Sequence, residues 1–563
     1  MNTSAINMKD GYKVSHKNQY PVGTEVVYSN FTPRSSRIKG SDEIVVFGIQ
    51  YFIKKYIIES FDQTFFSQPK EKVVASYKRL MDGYLGVDTV TMDHIEALHD
   101  LQYMPLRIKT LPEGTVSSLK VPFMTIVNTR PEFFWLTNLL ETIISTTIWM
   151  PITSATTSYR YRKLMDRFAV ETGSDPETVQ FQCHDFSMRG MAGLEAAEMS
   201  AASHLLSFVG TDTVCAVPWL EEYYAAEGFI GCSVPATEHS VMSAGGNGEG
   251  EEIATFKRLI NELYPSGIVS IVSDTWDFWK VVTEYLPALK GDIMARDGKT
   301  VIRPDSSDPV DIICGDDTYP EYSTVEEAIY SLEDEVRDLA FEDCEGAGNC
   351  GSEYYDATFK VDDKYYEVRY NVEYNRYDKQ YYYIEEMDND SPVEITLSPQ
   401  NKGLIECLWR TFGGTINEAG YKVLDSHIGA IYGDSITYER AEEILERLKS
   451  KGFASSNIVF GIGSFTYQYV TRDTYGMAMK ATYVEVNGEG RDIFKDPVTN
   501  VGAFSKKSAK GLIQVTMDEA GNTTYKDQCT WEEEAGGLLE TVFEDGVLIK
   551  EYTLQEIRER LNN

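Results

Sequence analysis

Between residues 181 and 463 the chain repeats one local pattern seven times, a short β-branched or aromatic run that ends in a polar cluster. The clusters are Phe181 to Arg189, Gly210 to Thr213, Ser233 to His239, Ile268 to Asp274, Val301 to Asp305, Ile431 to Asp434 and Ile458 to Gly463. Helical periodicity fills the gaps. Short apolar runs alternating with helices predict βα units with parallel strands buried on both faces. Seven of them predict an irregular parallel α/β barrel, whose strand-end loops gather on one face and build a site.

A chain of 563 residues exceeds what one core organises, which predicts two or three domains. Residues 1–150 mix short strands (Glu25–Tyr28, Ile44–Phe47) with amphipathic helices such as Gly48–Ser60, and read as an N-terminal α+β domain. A strand at Ala481–Val486, a glycine-rich turn and a final helix predict that about 480–563 return to complete it. The barrel then takes residues 151–314 and 400–479. Residues 315–399 read as an acidic, tyrosine-rich insertion of helix plus β-meander. Positions 311–400 hold 25 acidic and 6 basic residues (6 − 25 = −19) and 13 of the 36 tyrosines. This segment reads as a solvated decoration, with a docking surface for a basic partner as the alternative.

Charge and composition remove several classes. With 52 basic and 88 acidic residues the net charge is −36, a field that repels nucleic-acid backbones and anionic lipid. Phe133–Ile152 is the most apolar long stretch, but Asn138, Glu141 and several threonines make it a buried helix rather than a membrane span. The first ten residues lack the charged lead and apolar core of a signal peptide. Eight scattered cysteines without CxxC spacing predict reduced thiols and a cytoplasmic protein; only Cys344 and Cys350 are spaced for pairing under oxidation. No phosphate loop, GxGxxG turn, HExxH box or GxSxG elbow occurs. His94 and His99 miss the i,i+4 spacing of a metal pair and read as surface helix positions.

What remains lies at the strand ends. His184, Asp185, Phe186 and Arg189 place a cation, a carboxylate and an aromatic face in one loop. Arg303 and Asp305 join a guanidinium to a carboxylate, a unit suited to phosphate and sugar hydroxyls. Gly433-Asp434 and Gly461/Gly463 add close backbone approach and hydroxyl acceptors. Together these residues outline a ribose-phosphate site.

The sequence resembles the nicotinamide phosphoribosyltransferase family along most of its length. The matching stretches include Asp10 to His16, Gln19 to Pro21, His184 to Gly190, Gly210 to Val214, Ser233 to Ser240 and Val272 to Asp274. They continue through Ile302 to Ser306, Tyr432 to Asp434, Thr471 to Asp473 and Phe494 to Val498, with the acidic insertion outside the resemblance. The resemblance implies a type II phosphoribosyltransferase fold, a homodimer with shared active sites, and transfer of 5-phosphoribose from phosphoribosyl pyrophosphate to nicotinamide. Mg²⁺ and ATP as co-substrate are implied too, with no metal ligand directly assigned. By the same resemblance the heterocycle stacks between Phe186 and Tyr12 of the neighbouring subunit, with Arg189, Ser270 and Arg303 lining the pocket. Asp305, Gly433 and Asp434 hold the ribose hydroxyls or the metal-bound substrate. Gly463 and Ser464, with Arg472 and Lys480 from the neighbouring subunit, hold the 5′-phosphate. Arg34, Lys495, Lys506 and Lys507 reach ATP or pyrophosphate. His239 is the residue that ATP phosphorylates, with Asp274 as its carboxylate partner; Glu238, adjacent on an expected strand, points elsewhere.

Asp212 sets the substrate in this reading. A carboxylate accepts a hydrogen bond from a carboxamide and repels a carboxylate, which favours nicotinamide over nicotinate. Ser464 and Phe465 stand where the family has glycines, and Ala478 stands where it has a serine. A lysine of the family's basic stretch is also replaced around Ala503. The competing readings are a nicotinate phosphoribosyltransferase and, from another class, a catalytically silent binding protein that uses the insertion.

Overall fold

The structure is a computed structural model. It describes residues 3–246, 249–315, 319–333, 336, 351–362, 364–374, 383–386, 392–433, 436–495 and 508–562. The parallel strands come from the predicted clusters. Their order is Gly210–Thr211, Cys183–Asp185, Ile458–Ile462, Ile428–Tyr432, Thr300–Arg303 and Val269–Val272. The Ser233–His239 cluster forms no regular strand, yet it joins the two sheet edges through parallel bridges Gly210↔Cys232 and Ala236↔Ser270. Cys232 N–H donates to Val209 O at 2.7 Å, and Ser270 N–H to Pro235 O at 2.9 Å. Pro235 has no N–H to give, so a full ladder is impossible there and only scattered bonds close the barrel.

A seven-stranded antiparallel sheet carries the other domain. Its order is Glu489–Asp492, Met477–Val486, Thr24–Pro33, Met124–Asn128, Leu106–Thr110, Glu540–Glu544 and Val547–Leu548. The three central strands come from residues 24–128 and are flanked on both sides by strands from beyond residue 476, so both ends of the chain build the sheet. The boundary at residue 150 needs correction, because a 32-residue helix, Glu141–Thr172, runs through it. Ile144, Ile148, Ile152 and Ala155 of that helix pack into the N-terminal core, and Tyr161, Leu164, Met165 and Phe168 into the barrel core. One rigid rod thus serves two cores, which a change in composition along the chain does not reveal. Within residues 315–399, strands Gly351–Val361 and Lys364–Tyr374 pair antiparallel, with Tyr383–Glu386 and Val393–Ile395 beside them. They share a small core of Ala328, Leu332, Phe359, Val368 and Tyr370. Cys344 and Cys350 lie outside the described residues.

His94 and His99 are buried, not surface positions. His94 meets the Trp135 ring edge-on at 4.8 Å, and His99 Nε2 lies 2.8 Å from Gln68 O. His204 is fully buried beside the Tyr467 hydroxyl at 2.7 Å. Burial lowers the His94 pKa from 6.5 to about 4 and also lowers that of His204. Both rings are then neutral in the fold, and protonation favours the unfolded chain. Their contribution is complete above pH 6.5 and is lost as pH falls toward 4, at about 1.4 kcal/mol per pH unit for each ring. Guanidinium unfolding at pH 7 and pH 5 is expected to show a lower midpoint at pH 5. A His94→Phe variant is expected to flatten that pH dependence.

Candidate active site

Asp185 organises the loops at the strand ends. Its buried carboxylate accepts from Ser187 N–H and Oγ–H and from the Thr211 and Thr213 hydroxyls at 2.6–3.0 Å. Four donors on one carboxylate fix two successive strand ends relative to each other. The loop it locks carries Phe186, whose N–H donates to Ile462 O at 2.9 Å. The Phe186 ring lies against the Gly461 backbone: a Cβ on Gly461 would fall 2.6 Å from the ring and 2.8 Å from Tyr432 O. Gly461→Ala is therefore expected to push Phe186 out of place and lower kcat/KM for the heterocycle roughly tenfold or more. Steady-state kinetics beside a thermal unfolding curve separates this displacement from global unfolding.

Asp212 lies at the neighbouring strand end, its N–H donating to Asp185 O at 2.9 Å. His184 Nε2 lies 2.8 Å and Ser233 Oγ 2.5 Å from its Oδ1, and Oδ2 makes no hydrogen bond among the described residues. The His184 ring itself rests 4.7 Å from Phe186. Burial works to raise the Asp212 pKa, but the bonds from His184 and Ser233, with the Arg303 charge behind them, hold it below the usual carboxylate value. The carboxylate is anionic at neutral pH, with one oxygen open. His184 and Ser233 belong to the predicted clusters, but their pairing with Asp212 across 28 and 21 positions left no signal in spacing.

His239 begins a helix, His239–Ala244, instead of sitting on a strand, and Glu238 stands at its N-cap position with its side chain accepting from Ser240 Oγ–H rather than capping a helix N–H. Its ring is half exposed. Nδ1 lies 3.1 Å from Thr275 Oγ1, while Nε2 stands 3.9 Å from both Asp274 Oδ1 and Asp305 Oδ2. Asp274 is thus an ionic neighbour rather than a direct hydrogen-bond partner. Its Oδ2 accepts from Asp305 N–H at 2.9 Å and Ser306 Oγ–H at 2.6 Å, while buried Oδ1 has no hydrogen-bond partner among the described residues. Arg303 Nη2 donates to Thr237 O at 2.5 Å, and its buried Nε is unpartnered, as is the buried Ser270 Oγ. A Cβ on Gly433 would come within 2.9 Å of Asp305 Oδ1, so the glycine lets that carboxylate approach the main chain. A cavity of about 470 Å³ opens beside Asp305, lined by Ser306, Ser307, Asp308 and Tyr432. Gly463 precedes the short helix Ser464–Gln468, and Ser464 packs on Gly190 next to the exposed Arg189.

A second group of predicted residues gathers on the N-terminal domain. Tyr12 is 62% exposed, with Lys13 Nζ over its ring at 5.4 Å and His16 edge-on at 5.2 Å. Lys13 pairs with Glu141, which also lies 3.8 Å from Lys480. Arg34 Nε donates to Gly476 O at 2.9 Å, and Arg472 meets Asp473 at 3.3 Å. Burial chiefly lowers the pKa of Lys480, and the cations Arg34, Lys13 and Arg472 add to it against the opposing pull of Glu141. Lys495 is exposed, with its N–H on Ser508 Oγ at 3.0 Å. Among the described residues no hydrogen bond, ion pair or ring contact joins this group to the barrel group. Asp434, Lys506 and Lys507 lie outside the described residues. No three His, Cys, Asp or Glu side chains converge as a metal cage among the described residues.

Comparison with known proteins places this geometry in context. The nicotinate phosphoribosyltransferase family model matches residues 181–339 and 367–546, and the model of the nicotinamide phosphoribosyltransferase N-terminal domain matches residues 4–86. A nicotinamide phosphoribosyltransferase of Acinetobacter baylyi is 47% identical over 567 positions, covering 99% of this chain and 96% of its own. One from Mycoplasma pneumoniae is 33% identical, covering 87% and 92%. The crystal structure of nicotinate-nucleotide pyrophosphorylase from Pyrococcus furiosus shares the fold at a TM-score of 0.52 and 13% identity, covering 99% of this chain and 94% of that one. Within the acidic segment, residues 340–366 lie outside the family-model match.

Proposed function

Because the chain belongs to the nicotinamide phosphoribosyltransferase family, with the type II phosphoribosyltransferase fold, we propose that it makes nicotinamide mononucleotide for NAD salvage. The donor is phosphoribosyl pyrophosphate. The pyridine nitrogen forms a bond to C1′ as the C1′–oxygen bond to pyrophosphate breaks, and the electron pair leaves with pyrophosphate. No proton moves in this step. The ring becomes cationic, so an aromatic face such as Phe186 attracts the product-like transition state more than the substrate. The observation that carries the choice of nicotinamide is Asp212, anionic, with Oδ1 bonded to His184 and Ser233 and Oδ2 without a hydrogen bond among the described residues, its partner His184 resting 4.7 Å from the Phe186 ring. A nicotinate reading draws on the name of the family model, but a second carboxylate at Oδ2 opposes it.

Arg303 and Arg189 supply positive charge toward departing pyrophosphate, and Asp305 with Gly433 receives the ribose hydroxyls. Mg²⁺ bound largely by phosphates and water asks the protein for one or two carboxylates. Asp274, with Oδ1 buried and without a hydrogen-bond partner among the described residues, and Asp305 fit that demand. The ion would neutralise charge on the leaving group.

In this proposal ATP phosphorylates His239. The two carboxylates near Nε2 hold the ring proton there, which leaves the Nδ1 lone pair, bonded to the Thr275 hydroxyl, to attack the γ-phosphorus and release ADP. A homodimer brings Tyr12, Arg472, Lys480 and the Arg34 and Lys495 group of one subunit to the barrel mouth of the other. The six described cysteines are unpaired, in keeping with a cytoplasmic enzyme. Mononucleotide formation from labelled nicotinamide or nicotinate with phosphoribosyl pyrophosphate, with and without ATP, tests the proposal. Faster turnover of nicotinate would reject the substrate assignment. A His239→Ala variant is expected to lose the ATP effect while still making product. Equal ATP stimulation in both proteins would remove the phosphohistidine step and spare the transfer.

A further inference from the structure

The cations of the N-terminal domain border a cavity of about 380 Å³, lined by Arg34, Lys120 and Lys480 with Asn30, Thr32 and Asp527. Three cations facing one carboxylate invert the balance of a chain with 88 acidic and 52 basic residues. Asp527 is itself engaged, accepting from Lys510 N–H at 3.0 Å. Burial and the neighbouring Arg472 lower the pKa of Arg34 against the opposing pull of Asp473, and Glu141 lies 3.8 Å from Lys480, so the cavity wall itself still carries three cations to one carboxylate. A wall of this kind calls for an anion with more than one negative charge.

Lys120 stands out within it. Its backbone adopts φ 72°, a left-handed conformation that residues with a β-carbon rarely take. The turn is held by Lys120 N–H donating to Pro33 O at 2.6 Å. Glycine would satisfy the same turn with less strain, so the backbone gains nothing from this side chain. Lys120 Nζ is exposed and makes no hydrogen bond or ion pair among the described residues. Ala478, in the same wall, offers no hydroxyl to a ligand.

We infer that Lys120 is a third anion-binding residue of this cavity, and that with Arg34 and Lys480 it grips the phosphate groups of a polyphosphate. A flexible ammonium with three donors suits phosphate oxygens as a point charge, next to the fixed fork of Arg34. Two molecules present this chemistry: the sugar donor through its phosphates, and ATP through its triphosphate. The assignment rests on the proposed phosphoribosyl transfer for the identity of the ligand, and on the cation set alone for its chemistry.

The test titrates the full-length protein with inorganic pyrophosphate and, separately, with a non-hydrolysable ATP analogue, alongside steady-state kinetics. Lys120→Gly removes the charge and relaxes the backbone together. It is expected to weaken pyrophosphate binding roughly tenfold, raise KM for phosphoribosyl pyrophosphate, leave KM for nicotinamide unchanged, and raise the melting temperature. Lys120→Arg is expected to keep the affinity. Loss confined to the ATP analogue would assign the cavity to the triphosphate, and loss confined to pyrophosphate would assign it to the sugar donor. Unchanged affinity of Lys120→Gly for both anions overturns the inference. If the parent protein makes no mononucleotide but Lys120→Gly still loses pyrophosphate affinity, the transfer reading fails and the cavity assignment stands.

Discussion

Replacing Asp212 with serine is expected to abolish the discrimination between nicotinamide and nicotinate. In the proposed reading Oδ2 is the acceptor for the carboxamide N–H₂, since Oδ1 is already bonded to His184 and Ser233. Nicotinate brings a second carboxylate to the same spot. Two like charges about 4 Å apart at an effective dielectric near 20 cost about 4 kcal/mol, or roughly 10²- to 10³-fold in kcat/KM. The Asp212→Ser variant loses both the attraction and the repulsion. Its kcat/KM for nicotinamide falls roughly 10- to 100-fold, while that for nicotinate rises toward it. Asp212 is held ionised below its ordinary pKa, so the parent's preference is expected to stay flat from pH 5 to 8. Competition between the two labelled bases at several pH values measures both points. An Asp212→Ser enzyme with the parent's preference would place the selectivity elsewhere. The fold is not at risk, because the backbone bond from Asp212 N–H to Asp185 O at 2.9 Å does not involve the replaced side chain.

Mixing two crippled variants is expected to restore activity. Phe186→Ala removes the ring at the barrel mouth, and Arg472→Ala removes a cation of the other group; each alone is expected to lower kcat/KM roughly 10- to 100-fold. If each site joins the Phe186 of one subunit to the Arg472 of the other, a hybrid dimer has one site with both defects and one with neither. Random reassociation then gives about a quarter of all sites intact. Co-expression of the two forms with different tags, purification through both tags and assay of the hybrid is the direct measurement. A hybrid no more active than its parents would mean that each site is built within one chain. The exposed Tyr12 ring and the separation of the two groups within a protomer are the structural reasons to expect rescue.

Much of the barrel was legible because buried parallel strands must be apolar along their length, while polar groups cluster where the strands end. The seven clusters were therefore visible as composition, and so were Phe186, Asp212, Arg303 and Asp305 as site candidates. Other features carried no such mark. The closure of the barrel by residues 232–237 depends on a few bridges that Pro235 limits, and no periodicity announces them. His94 looked like a surface residue because a helix's outer face and a face covered by Trp135 have similar local sequence. His239 looked like a strand residue because its neighbours Val234 to Thr237 are extended, yet the helix begins at His239 itself.

The sequence by itself determined which residue types stand at the strand ends, because burial and charge are written locally in composition and spacing. Tertiary structure alone decided which of them touch. His184 and Ser233 complete Asp212, Gly461 yields its side-chain space to Phe186, and one helix spans two cores. These are contacts between segments far apart in the chain, set by how packed elements exclude one another, and no local pattern encodes that.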